Sequence, residues 1–163
     1  MVEFAVGSII ILIVLAGALD FGFLFSARLE LDNAARSGAR WASRHPTAWT
    51  NNANPADNSI EGQIIYAGDT TNIVNNDSQI MIQYLIWDKV ADTFTQCGVY
   101  HANTVPTGFV ASGGYTLNTC VKPGTFIKVT VTEIYPSAML FFQGILPMSG
   151  VTVKSQATML EEI

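Results

Sequence analysis

The order of apolar and polar positions divides the chain into two parts that meet near residue 45. The first part opens with an apolar run, residues 4–27, in which Asp20 is the single charge. A run of this length can cross the hydrocarbon core of a membrane, which is about 30 Å thick. Beyond it, apolar and small residues recur at helical spacing on one side only. That side comprises Ala27, Leu31, Ala34, Ala35, Gly38, Trp41 and Ala42.

The absence of proline before Pro46 predicts one continuous helix from about Val2 to about Arg44. At about 1.5 Å per residue, such a helix is roughly 60 Å long or more. In the second half of this helix, charged residues recur at every fourth position on the side opposite the apolar one. This spacing predicts a solvated charged stripe with weak ion pairs between neighbouring residues. The stripe consists of Arg28, Asp32, Arg36, Arg40 and Arg44.

Three interpretations of the apolar run compete. A secretory signal would be cleaved after residues 16–18, Ala-Gly-Ala, but such signals begin with basic residues and Glu3 stands there instead. A membrane anchor fits the length of the run. The third interpretation is a rod that is buried in lipid or among other helices and whose one-sided second half carries a domain. We favour the third, because the helical pattern continues past the apolar run.

Alternating apolar and polar positions predict strands in the second part of the chain. Residues 79–88, 125–135 and 150–160 alternate well, and residues 93–100 are the expected hairpin partner of the first strand. Between these and the helix, residues 47–76 are rich in Asn, Asp, Gly and Thr. This stretch predicts a long polar excursion with little regular structure beyond a short strand at residues 60–68.

The expected architecture is therefore α+β. A long N-terminal helix packs by its C-terminal half against an antiparallel sheet of about four strands. Two domains are expected: residues 1–45 form the helix, apolar over residues 1–27 and amphipathic over residues 28–45, and residues 46–163 form a β-rich head.

Composition excludes several classes of function. The 163 residues are 49% hydrophobic and only 13% charged, with a net charge of −5, so no basic surface for nucleic acid is expected. His45 and His101 are the two histidines, and neither has a metal-like spacing to other ligands. The common catalytic and phosphate-binding motifs are missing from the sequence. We therefore expect no enzyme, no metal and no cofactor.

Two cysteines, Cys97 and Cys120, are separated by 22 residues. In an exported protein, the default for two such residues is one disulfide that closes a loop, worth roughly 3 kcal/mol. Two separate buried thiols are the alternative. The apolar start of the chain argues for export, so we favour the disulfide.

The start of the chain resembles the TadE-like family of type IV pilin-like proteins. The shared features are V-E-F at residues 2–4, the apolar run, D-F-G at residues 20–22 and A-A-R-x-G-A-R at residues 34–40. The end, residues 126–162, is also similar to the family, with a strand, a proline-containing hydrophobic linker and a last strand followed by acids. The middle of the chain is not distinctive.

The resemblance implies a lollipop-shaped pilin. Such proteins are made with a leader that a prepilin peptidase removes, are held in the inner membrane by the helix, and are then assembled by the pilus machinery into an extracellular filament at the cell surface. Their glutamate is the fifth mature residue, and Glu3 matches it here, so either two residues precede Met1 or the processing differs.

A carboxylate in an apolar assembly is costly unless it is paired. We expect Glu3 to pair with an α-amino group, that of a neighbouring subunit above all, and a membrane-interface glutamate without a partner is the alternative. For Asp20 we expect Arg28 of a neighbouring chain or a backbone donor beside Gly22, with a solvated aspartate as the alternative. The residues assigned to subunit assembly are Glu3, Phe4, Gly7, Ile11, Asp20 and Phe21, and those assigned to helix–head packing are Leu31, Ala35, Gly38 and Trp41.

The predicted function is structural: the subunit of a pilus that polymerises with copies of itself through the apolar helix. The alternative is a minor pilin, or a bitopic membrane protein, that assists the assembly of another pilus. A third class is an adhesive module, with Trp49, Trp87 and Tyr100 as candidate contacts, although core packing is the better expectation for Trp87. Residues 140–146 are expected to fill the core under the helix, with a subunit contact as the alternative.

Overall fold

The computed structural model of the chain describes residues 2–50, 58–68, 73, 76, 78–103, 105–135 and 151–162, and for residues 2, 3, 5, 6 and 135 it describes the backbone alone. Across these residues the elements are α1 (Val2–Arg44), α2 (Ile60–Gly68), β1 (Ile80–Asp88), β2 (Thr93–His101), β3 (Gly108–Ala111), α3 (Leu117–Cys120), β4 (Phe126–Tyr135) and β5 (Val151–Leu160). The strands form one antiparallel sheet in the order β3-β2-β1-β4-β5. The predicted α+β class is confirmed, with five strands in place of about four.

The long helix α1 has the predicted extent. It runs without interruption through 43 residues, or about 65 Å. It stops where predicted, since the residue before Pro46 disfavours the helical conformation. The last helical hydrogen bond joins the His45 N–H to the Trp41 carbonyl, at 2.9 Å.

The core lies between the second half of α1 and one face of the sheet. This half of the helix packs against α2, β4 and β5. It contributes small side chains, which let its backbone approach its neighbours closely, while the sheet contributes large ones. Fully buried residues on the helix are Leu31, Ala34, Ala35, Ala39 and Ala42, and those on the sheet include Ile82, Tyr84, Ile127, Val129 and Val131.

The strand predicted at residues 60–68 is wrong, because these residues form the helix α2. Ser59 starts this helix, since its Oγ accepts the Gly62 N–H at 3.0 Å, as N-cap serines do. Ile60 and Ile64 are one helical turn apart and fully buried. The apolar pattern of residues 60–68 fits both a strand and a helix, and packing against α1 selects the helix.

The extra strand β3 extends the sheet beyond β2. It is four residues long and only partly buried, so it carries too little alternation to be seen in the sequence. Nearby, Cys97 in β2 and Cys120 in α3 form the predicted disulfide, with their Cα atoms 5.5 Å apart. This bond fastens α3 to the sheet.

Strand β5 follows α1 from its middle to its end. Asp32 accepts a hydrogen bond from the Ser155 hydroxyl, and the Glu162 N–H donates to the Ser43 carbonyl at 2.8 Å. Arg44 and Glu162 also form an exposed ion pair at 3.5 Å, a contact worth little on its own. The charged stripe of α1 therefore differs from the predicted solvated face at Asp32, which contacts the sheet.

We predict that Gly38→Ala destabilises the head. A Cβ at this position would overlap the side chain of Ile64 in α2, and overpacking of this kind costs roughly 1–3 kcal/mol. The measurement is the free energy of unfolding of the detergent-solubilised protein in denaturant. Gly22→Ala is the matched control, because no described atom lies within 4 Å of a Cβ there. Equal stability of the two variants would contradict the close packing of α1 on α2.

Candidate functional site

The first half of α1 exposes almost every large apolar side chain that the structure describes there. We call residues 4–25 the apolar segment. Its described large apolar side chains are 45–84% exposed, with the exception of the half-buried Leu24. The exposed ones are Phe4, Ile9, Ile10, Ile11, Leu12, Ile13, Val14, Leu15, Leu19, Phe21, Phe23 and Phe25.

The exposed side chains point in every direction around the helix, since Ile9 to Leu15 are consecutive and cover about two turns. Burial of one such side chain gains roughly 1.5–3 kcal/mol, so burial of all of them gains on the order of 20 kcal/mol. By length and composition, the helix over Gly7–Arg44 qualifies as a membrane span, and none of its most apolar stretch is buried within the protein. The apolar segment is therefore suited to burial in lipid or among other helices.

Three glycines of the apolar segment are not required by the fold of this chain. A Cβ added at Gly7, Gly17 or Gly22 would meet no described atom within 4 Å. Glycine costs up to about 1 kcal/mol of helix stability relative to alanine. In apolar helices, small residues let a second helix approach closely. These positions therefore suit helix–helix contact outside the chain.

The two acids of this region stand differently in the structure. Glu3 lies in α1, but its side chain is outside the described residues, so its pairing stays a prediction. Asp20 is half-buried. In the described part of the chain, no hydrogen bond or ion pair to its carboxylate is present, and Arg28 is exposed two turns further on. The predicted partner of Asp20 in a neighbouring chain also stays a prediction.

Residues assigned to helix–head packing lie at the interface of α1 with the head. Leu31 and Ala35 are fully buried, and Gly38 lies beneath Ile64. Trp41 is half-buried, and its ring stacks on His45 with centroids 4.3 Å apart. Its Nε1–H is buried without a hydrogen-bond partner among the described residues.

Comparison with known proteins gives a match within the N-terminal helix. Residues 1–40 match the family model of TadE-like proteins. The N-terminal helix is therefore similar to the start of TadE-like proteins. The match covers the apolar segment and the small residues that pack on the head, whereas the similarity noted at residues 126–162 lies outside it. No curated protein and no solved structure matches the chain significantly. The TadE-like family is pilus-related. Together with this similarity, the apolar N-terminal helix of the present chain indicates a membrane-anchored protein.

Beyond the TadE-like helix, the candidate contact aromatics separate into two groups. Trp49 stacks on Tyr100 with ring centroids 5.2 Å apart, and Tyr100 is buried, so both pack within the head. Trp87, for which core packing was the better expectation, is 37% exposed and meets Phe94 edge to face on the outer side of the sheet. The apolar residues 140–146 lie outside the described residues.

Sequence reasoning missed the most deeply buried acid among the described residues. Glu61 in α2 is fully buried; its two carboxylate oxygens each accept the Thr50 N–H at 3.2 Å, and it also bonds the Tyr100 side chain. Burial raises the pKa of Glu61 to about 7, although these hydrogen bonds oppose the shift. Tyr84 beside it donates to the Pro46 carbonyl at 2.5 Å. These bonds tie the chain that follows α1 to the sheet.

A raised carboxylate pKa is a mark of many catalytic sites, but Glu61 has no exposed surface where a substrate could reach it. Among the described residues, no group of three or more His, Cys, Asp or Glu side chains is arranged to hold a metal ion. Glu61 is therefore a structural residue of the head, and the N-terminal helix remains the candidate functional site.

We predict that the head loses stability between pH 4.5 and pH 7. The pKa of Glu61 is about 7 in the folded protein, compared with 4.5 for an ordinary glutamate, so the unfolded state releases its proton first as the pH rises. The stabilisation from this group is fully present below pH 4.5 and is lost as the pH passes 7, by roughly 3 kcal/mol at most. Denaturant titrations across this pH range measure the effect.

Glu61→Gln should flatten this pH dependence, because the amide does not titrate. Asp92→Asn is the control, since Asp92 is exposed in the turn between β1 and β2 and its φ of 53° is one that asparagine tolerates. A Glu61→Gln head that keeps the full pH dependence would show that another group carries it.

Proposed function

We propose that this protein is a structural subunit of a type IV or Tad-like pilus and that it polymerises with copies of itself through the apolar segment. On this proposal, the helix first anchors the protein in the inner membrane. The pilus assembly machinery then transfers it, after processing by a prepilin peptidase, into an extracellular filament at the cell surface. The head remains outside the helical core of that filament.

The observation that carries the proposal is the contrast between the two halves of one helix. The apolar segment is exposed on all sides, whereas from Ala27 onward one side of the helix is buried against the head. A continuous helix holds the two halves at a fixed distance and angle. Copies that bury their apolar segments together therefore also bring their heads into a regular array.

Features beyond apolarity favour helix–helix contact over lipid alone. A lipid-facing helix gains nothing from Gly7 and Gly17, while a helix packed on its sisters gains close approach. Glu3 and Asp20 are costly in hydrocarbon unless a partner pairs with them. A neighbour's terminal amine or Arg28 supplies the required charge.

We predict that Glu3→Gln abolishes or strongly slows filament formation while the head stays folded. The amide keeps the shape of the side chain but removes the charge that pairs with the amine. Filaments are counted on cells by negative-stain electron microscopy, and their main band is identified by mass spectrometry.

Glu30→Gln is the control for this variant, because Glu30 lies on the same helix beyond the apolar segment. Normal filament yield from Glu3→Gln would refute the pairing. Filaments whose main band is a different protein would instead support the alternative, a minor pilin or bitopic protein that assists assembly.

We also predict that Gly17→Leu blocks filament formation without harm to the single chain. Leucine strengthens a helix relative to glycine, and no described atom of the same chain lies within 4 Å of the added Cβ. A neighbouring helix at close range would be displaced. Leu15→Ile, which keeps the size of the side chain, should assemble normally in the same filament count. Full assembly of Gly17→Leu would mean that position 17 faces no close neighbour.

A further inference from the structure

A groove of about 360 Å³ lies between α1 and the beginning of β5. Its walls combine two kinds of residue. Phe21, Leu24, Phe25 and Val151 are apolar, while Arg28 and Lys154 are cationic. The remaining lining residues are Thr152 and Val153, so none of the described residues that line the groove is an acid.

The groove carries two positive charges in a protein whose net charge is −5. The acids of α1 near the groove are Asp20, one turn before Leu24, Glu30, two residues after Arg28, and Asp32, one turn after Arg28. None of the three is among the residues that line the groove. Glu30 accepts a hydrogen bond from the Ser26 hydroxyl, and Asp32 accepts one from the Ser155 hydroxyl. Arg28 and Lys154 are exposed and form no ion pair among the described residues. The groove is therefore suited to an anion.

The position of the groove along α1 narrows the kind of anion. Arg28 is the first cation after the apolar segment, so it lies where a membrane-spanning helix leaves the hydrocarbon. Phe25 and Phe21 lie one and two turns before it, at the edge of the hydrocarbon. In the membrane-anchored protein, the apolar wall therefore faces acyl chains and the two cations lie among lipid headgroups.

We infer that this groove holds an anionic phospholipid of the membrane in which the protein is anchored. Arg28 and Lys154 bind the phosphate headgroup by charge-assisted contacts, and an acyl chain lies along Phe21, Leu24 and Phe25. The inference depends on membrane anchoring and not on polymerisation, so it stands or falls separately from the filament.

Native mass spectrometry of the full chain in detergent tests this site. The protein is titrated with phosphatidylglycerol or with phosphatidylcholine of identical acyl chains, and the fraction that retains one lipid is measured. Each basic residue near an anionic membrane surface adds appreciably to binding, so we expect retention of phosphatidylglycerol to exceed that of phosphatidylcholine by roughly ten-fold. Equal retention of the two lipids would overturn the inference.

The double variant Arg28→Gln with Lys154→Gln should reduce this preference to about one. The matched control is Arg36→Gln with Lys122→Gln, which removes the same charge from exposed positions outside the groove and should keep the preference. Circular dichroism confirms that both variants are folded. If the groove variant prefers phosphatidylglycerol as strongly as the control variant does, the lipid binds outside the groove and the inference is wrong.

Inorganic phosphate separates a lipid from a free anion. A ten-fold molar excess of phosphate over lipid should not displace phosphatidylglycerol, because phosphate has no acyl chain to occupy the apolar wall. Displacement by phosphate alone would show that the site binds a free anion and would refute the assignment to a lipid.

Discussion

One constraint governs this molecule: a single unbroken helix must satisfy two different surroundings. Up to Phe25 its described apolar side chains, Leu24 excepted, have no cover from the described part of the chain, and from Ala27 onward its inner side is buried by the head. The backbone hydrogen bonds of α1 continue from one half of the helix into the other. Neither half can therefore change its orientation without moving the other. Whatever buries the apolar segment therefore fixes the place and orientation of the head.

The second half of the helix meets this constraint by close packing with small side chains. Ala34, Ala35, Gly38 and Ala42 bring the helix backbone near α2 and the sheet, so large side chains of those elements fill the space. Two further contacts hold the helix, from Ser155 in β5 to Asp32 and from Glu162, just after β5, to Ser43. The head is thus attached along about 25 Å of helix, which leaves little freedom to tilt.

Sequence reasoning predicted the elements that carry a long hydrophobic pattern. It failed for short segments whose conformation depends on a few tertiary contacts. The extent of α1 and four of the five strands follow from periodicity and from Pro46. Helix α2 did not, because its nine residues lie in a polar stretch and its conformation depends on the Ser59 cap and on α1. The burial of Glu61 was equally invisible, since its partner Thr50 is eleven positions away. The placement of Leu31, Ala35 and Gly38 against the head follows from helical spacing, whereas the partners of Glu3 and Asp20 require other molecules.

The same two surroundings account for where the charges of α1 lie. An acid in the apolar segment is costly in lipid, so Asp20 is placed at its edge, where headgroups and water are near. In a helical assembly the same position needs a cation, and Arg28 lies two turns away on every copy. Arg28 therefore has two roles on our proposals, with a lipid phosphate before assembly and with a neighbour's carboxylate after it. On these proposals, the carboxylate of a neighbouring chain replaces the lipid phosphate when the filament assembles. Arg28 is then paired with an anion both in the membrane and in the filament.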